Sequence, residues 1–170
     1  MRNIELLKCS LTAVNTCAKV KPKENVLVVS DSSQSLNILS SLMTAIDLAD
    51  AEPIITILAP RKPPRTDVPR SVLEAMKNAD VFITCTSSTF PFKSRKVAQE
   101  AGAKTLFMHT ITEDCMLRTV PVDYVDLRKT TESLANLLRS AKNFRVASKG
   151  SDLSIGLGGR EILIFDGICD

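Results

Sequence analysis

Asn25-Val26-Leu27-Val28-Val29-Ser30-Asp31, the run NVLVVSD, decides how this chain folds. Its apolar residues follow one another without polar alternation, so a strand here presents oily side chains to both faces of its sheet. That marks a central parallel strand covered by helices on both sides. Upstream, Ile4, Leu7, Leu11, Val14 and Ala18 recur at intervals of three and four, the spacing of one apolar helix face, and Pro22 closes that helix. Downstream, SSQSLNILSSLMTAIDLADA opens with Ser and Gln in capping positions and carries Leu36, Leu39, Met43, Ile46 and Leu48 on a helical stripe. Pro53 to Ala59, PIITILA, is a second apolar strand.

The alternation continues. SVLEAMKNA leads into DVFITCT, and FKSRKVAQEAG leads into KTLFMHT, with Gly102 where a helix C-cap belongs. Short alternating units of strand and helix predict a Rossmann-like α/β fold, a parallel sheet with helices on both faces. Val26 to Val29 and Val81 to Ile83 are expected to be its most buried strand segments. A short helix near 112–118 and a longer one near 123–142 follow. Then the grammar changes: FRVAS, DLSIGL and EILIFD are strands separated only by Gly150 and by Gly158-Gly159, as in antiparallel hairpins. Residues 1–149 are therefore assigned to the α/β domain. Residues 150–170 are assigned to a carboxy-terminal β-hairpin leading into a further, carboxy-terminal domain.

A chain of 170 residues buries enough surface for a core without metal or disulfide. With 22 Lys+Arg against 19 Asp+Glu, and no long basic block, nothing points to nucleic acid. The five cysteines are scattered, with no C-x-x-C pair, which suits a reducing cytoplasm. No signal peptide or membrane span is visible.

In a sheet of this kind, ligands bind beyond the carboxyl ends of the strands, where strand order reverses. That point falls between SDSSQS (Ser30 to Ser35) and TSSTFPF (Thr86 to Phe92). The residues able to hold a small anion there are Ser30, Ser32, Ser33, Gln34, Ser87, Ser88 and Thr89, through hydroxyls and helix amides. Neither loop has the glycines of a dinucleotide fingerprint or a P-loop, and helix capping explains the same residues. His109 is the single histidine. With Asp114 and a loop serine it could suggest a hydrolase, but no G-x-S-x-G elbow exposes a nucleophile. Nor do His109 and Cys115 supply a metal set, so the plainer reading is a hydrogen-bonded histidine near the sheet edge. PRKPPRTDVPR (Pro60 to Arg70) could present a polyproline segment to a partner or collect an anion, and a semi-rigid connection from strand to helix is the simpler account.

Four stretches together carry a resemblance: NVLVVSD…SQ, PRKPPRTDVPRSVLEAMKNADVFI, AGAKTLFMHTITEDCMLR, and VDYVDLRKTTESLANLLRSAKNFRVASKGSDLSIGLGGRE. They resemble the amino-terminal half of the thermophilic (leucyl aminopeptidase-like) metalloaminopeptidase family and its relative, the dihydroxypyridine dioxygenase of nicotinate breakdown. The most specific part is the helix with Tyr124, Leu127, Leu134 and Leu138, followed by FRVAS and the turn Gly150-Ser151-Asp152-Leu153. The resemblance implies that the metal ligands lie in a second domain, so no catalytic residue and no metal ligand is assigned in this chain. A divalent metal (zinc, cobalt or iron) is expected only with that domain, in a two-metal hydrolase or a mononuclear iron site.

Three roles follow from these readings. The first is an amino-terminal scaffold and dimerisation domain of an aminopeptidase-like metalloenzyme, inactive alone. The second is a free-standing Rossmann-like module for a small anion or nucleotide, and the third an interaction domain using the Pro60 to Arg70 loop. A homodimer is expected, with Ile162 to Phe165 as an outer strand whose exposed edge seeks a second copy.

Overall fold

The computed structural model describes residues 2–61 and 67–169. In chain order its elements are α1 (Arg2–Leu11), which runs into a π-helical segment (Thr12–Cys17), β1 (Asn25–Asp31), α2 (Leu36–Asp47), β2 (Glu52–Leu58), α3 (Arg70–Lys77), β3 (Val81–Cys85), α4 (Phe92–Glu100), β4 (Lys104–Phe107), α5 (Glu113–Thr119), α6 (Tyr124–Ser140), β5 (Asn143–Ser148) and β6 (Ser151–Gly156). They form two compact units, 2–121 with 168–169, and 122–167.

In the first unit, four parallel strands stand in the order β2-β1-β3-β4. The unalternated strands β1 and β3 lie side by side in the middle, and Val26 to Val29 and Val81 to Ile83 are each at most 1% exposed. Each strand feeds a different core layer on each face. Val26, Val28, Ile83 and Cys85 pack with Leu6, Val14, Leu42 and Ile46. Leu27, Val29 and Phe82 pack with Val72, Met76 and Ala98 on the other face. Phe82 meets Phe90 edge-on, ring centroids 5.7 Å apart. Gly102 ends α4 as expected: at φ +90 it adopts a conformation costly for other residues, and its N–H reaches the Gln99 carbonyl at 3.0 Å.

The expected face of the first helix holds except at Ile4, which is exposed: Val14 and Ala18 are buried, and Leu7 and Leu11 are half-buried against the core. The buried face of α1 and its π-helical extension also takes in Leu6, Cys9, Ser10, Ala13 and Cys17. That of α2 is Ile38, Leu39, Ser41, Leu42, Ala45 and Ile46, while Leu36, Met43 and Leu48 are exposed. The Ser10 and Ser41 hydroxyls, 2.8 Å apart and buried, set which faces meet. The π-helical turn then shifts the stripe that follows. Both sequences carry apolar residues on several faces, and small polar ones decided the contact.

In the second unit, the Asp123 carboxylate caps α6 by accepting from the Val125 and Asp126 amides at 2.9 and 3.1 Å. The expected hairpin follows, antiparallel from Asn143↔Gly156 to Ser148↔Ser151, closed through Gly150 at φ +85. The third expected strand, EILIFD, does not form. Gly158 and Gly159, at φ +52 and +73, turn the chain after β6, and the Arg160 amide closes that turn on the Leu157 carbonyl at 2.9 Å. Residues 160–166 are irregular. Asp166 is buried and paired with Arg128 at 2.5 Å, so the segment is anchored by an ion pair and not by a ladder. Ile162 to Phe165 therefore offers no strand edge to a second copy.

Candidate functional site

β1 and β3 are neighbours, with β2 on one side and β4 on the other, so strand order reverses between their carboxyl ends. The two serine-rich loops meet there, joined by Asp31, which ends β1 and is 3% exposed. Its Oδ2 accepts from the Ser87 amide at 2.7 Å and the Ser87 hydroxyl at 3.0 Å, while Oδ1 accepts from the Ser33 amide at 3.0 Å. A carboxylate taken out of water needs such donors, and both loops supply them. Asp31 is the centre of the site, although the hydroxyl-bearing residues alone do not point to it. Its signal was an acid closing an otherwise apolar run.

The expected ligand residues divide by position. Ser30 is fully buried, and its hydroxyl donates to the Cys85 carbonyl at 2.6 Å, tying β1 to β3. Ser32 is exposed, with its amide on the Leu58 carbonyl at 2.9 Å. Ser33 and Ser87 serve Asp31. The Ser88 hydroxyl donates to the Arg61 carbonyl at 3.2 Å, and the Ser88 carbonyl accepts from the Thr86 hydroxyl at 2.7 Å. A cavity of about 10 Å³, the size of one water, is lined by Asp31, Arg61, Thr86, Ser88, Thr89 and Phe90 among others. Gln34 Nε2 and Arg61 Nε are buried without a hydrogen-bond partner among the described residues. Arg61 belongs to the basic loop singled out in the sequence, although not to the residues expected at the crevice. It opens the proline-rich loop, whose residues 62–66 lie outside the described ones, and with them the partner-segment reading.

Below this loop pair, burial and the charge of Asp31 push the Cys85 thiol up to about 12, which makes it a packing group and not a nucleophile. Glu113 at the start of α5 accepts from Ser35 Oγ at 2.6 Å and Asn37 Nδ2 at 2.9 Å, and pairs with Arg2 at 3.0 Å. The two hydrogen bonds and the Arg2 charge hold its carboxyl below the usual range. The start of α2 is thereby locked to α5.

His109 follows β4. Burial and the nearby Arg95 guanidinium push its pKa down, and Nδ1 has no hydrogen-bond partner, contrary to the hydrogen-bonded histidine expected. Arg95 itself donates twice to the Phe90 carbonyl and lies 5.0 Å above the Phe107 ring. A cation is disfavoured beside that arginine. Asp114, the acid of the imagined triad, pairs with Arg118 at 2.7 Å. Among the described residues, no three His, Cys, Asp or Glu side chains come together as metal ligands would.

The arrangement is that of an open, doubly wound α/β sheet with its two serine-rich loops joined by Asp31 at the switch point. Residues 5–170 match the NicX family, 2,5-dihydroxypyridine 5,6-dioxygenase, and the chain belongs to that family. Among solved structures it is similar to the 2,5-dihydroxypyridine dioxygenase of Pseudomonas putida KT2440, with a TM-score of 0.74 and 17% identity, over 92% of this chain and 48% of that one. It is also similar to wild-type AmpT from Thermus thermophilus, with a TM-score of 0.57 and 11% identity, over 90% of this chain and 53% of that one. These likenesses establish the fold, and both sides of the resemblance read from the sequence are represented in them. The chain spans about half the length of each. No curated protein matches the sequence.

Proposed function

We propose that residues 1–170 are the amino-terminal scaffold of a metal-dependent enzyme of this family, inactive without a second body that holds the metal. One observation carries the reading: nearly the whole chain matches, yet it accounts for only 48% and 53% of the two solved relatives. The same chain brings no ligand cluster together among its described residues. The second body would supply the metal, and with it either ring opening of a dihydroxypyridine or hydrolysis at a peptide's amino end. The family match favours the first and the aminopeptidase side of the resemblance the second. On this reading the enzyme works in the cytoplasm as a homodimer.

The crevice supports a structural role for this half. Asp31 is bonded by Ser33 and Ser87, while the Ser30 and Ser88 hydroxyls bond backbone carbonyls, and the cavity beside them is the size of one water. An assay tests the proposal: residues 1–170 and the product of the uninterrupted reading frame that contains them are each given ferrous iron, zinc or cobalt. They are then offered 2,5-dihydroxypyridine or amino-acid anilides. Turnover only by the longer product is the expected result. Turnover by residues 1–170 alone, or a reading frame that stops at Asp170, would overturn it.

A further inference from the structure

The second compact unit is built like a half-finished layer. It holds a 17-residue helix and two six-residue strands, yet only Ala135 and Asp166 in it are buried. Every residue of β5 and β6 is exposed. A two-stranded sheet alone is marginal in water, because its ladder hydrogen bonds do not offset the chain entropy without a covered face.

The hairpin shows which face is meant to be covered. Phe144 stands opposite Ile155 and Val146 opposite Leu153, which places all four side chains on one face. On the other face Arg145 stands opposite Ser154 and Ala147 opposite Asp152, and Arg145 binds Asp152 through two hydrogen bonds of 2.8 and 2.6 Å. One face is dry in composition and the other is already solvated and paired. Leu134 and Leu137 of α6 are exposed as well, at 53% and 67%. An apolar area of this kind on a chain's surface marks a contact.

The geometry points to the Phe144–Val146–Leu153–Ile155 face as the seat of the family polypeptide's second body. This rests on the reading proposed above. The occupant is argued from two facts. About half of each solved relative lies outside the segment this chain matches, and a body of that size is a domain with surface enough to cover the face. The charges at the border are Lys142 before β5 and Lys149 at the turn. A partner surface that is apolar with acids at its rim complements these two lysines.

Hydrogen–deuterium exchange read by mass spectrometry tests this on two samples: residues 1–170, and the product of the uninterrupted reading frame that contains them. In residues 1–170 the amides of 143–156 should exchange nearly as fast as in unfolded chain. In the longer product they should slow by about 100-fold, the difference between an open and a docked element. Leu153→Lys or Val146→Ser in the longer product should restore fast exchange at the hairpin while β1 and β3 stay protected. Equal hairpin rates in the two samples would overturn the inference and leave the proposed function standing. Protection in residues 1–170 that rises with concentration would assign the face to a second copy, and concentration-independent protection to the chain's own α/β unit. Either result refutes it. A reading frame that ends at Asp170 would sink this inference and the proposed function together.

Discussion

Asp31 fixes the two loops to each other at the switch point, the place where nucleotide-binding sheets carry a glycine-rich loop. It does so with a carboxylate that faces inward, so the crevice closes on itself. Replacing it by alanine leaves the Ser33 and Ser87 amides without their acceptor, and the expected loss is about 2–4 kcal/mol of folding stability by denaturant titration. A variant within a few tenths of the parent would show that the carboxylate does not join the loops. Glu113 belongs to the same scale. Its pKa is lowered in the fold, so its contribution is present above the ordinary value near 4.5 and drains away as pH falls through the depressed one. Ser35→Ala should therefore cost about 1 kcal/mol at neutral pH and flatten the acid side of the stability profile. An unchanged slope below pH 5 would count against the clamp. The serines were legible in the sequence because hydroxyls gather visibly. Asp31 and the place of Arg61 at the crevice were not, because their roles depend on loops 56 and 27 residues away in the chain closing onto them.

Strands were the most readable elements. β1 and β3 announce themselves by lacking polar alternation, and a doubly covered strand is the arrangement that permits it. The helices were placed well, and α1 buries most of its expected face, but α2 leaves Leu36, Met43 and Leu48 of its expected stripe exposed. α2 has leucine, isoleucine or methionine on most faces, so periodicity alone offers several stripes of similar strength. The Ser10–Ser41 contact, invisible in one sequence, chose among them. The failure of EILIFD to form a strand has a related cause: a run of apolar residues says that burial is wanted, but Gly158-Gly159 and the Arg128–Asp166 pair decide the path. Gly102 gives a clean test at this scale. Nothing lies within 4 Å of where its Cβ would be, so Gly102→Ala would pay only for the left-handed backbone at φ +90. The expected cost is about 1–2 kcal/mol, with α4 otherwise intact by circular dichroism. A neutral or stabilising change would mean that α4 ends differently.

Taken whole, the chain has a finished half and an unfinished one. The α/β unit has two packed layers and loops tied together by Asp31 at the switch point, while the helix–hairpin unit displays an apolar face that nothing within it covers. No described helix is long and apolar enough to cross a membrane, so that face is not part of a helical span. The central claim is that the chemistry of this family is not housed in these residues. Elemental analysis of purified residues 1–170, after incubation with ferrous iron, zinc and cobalt in turn and removal of excess, tests it most directly. The account predicts far less than one equivalent of any of them, unchanged by His109→Ala, whereas one or two tightly held equivalents that fall away in that variant would contradict it.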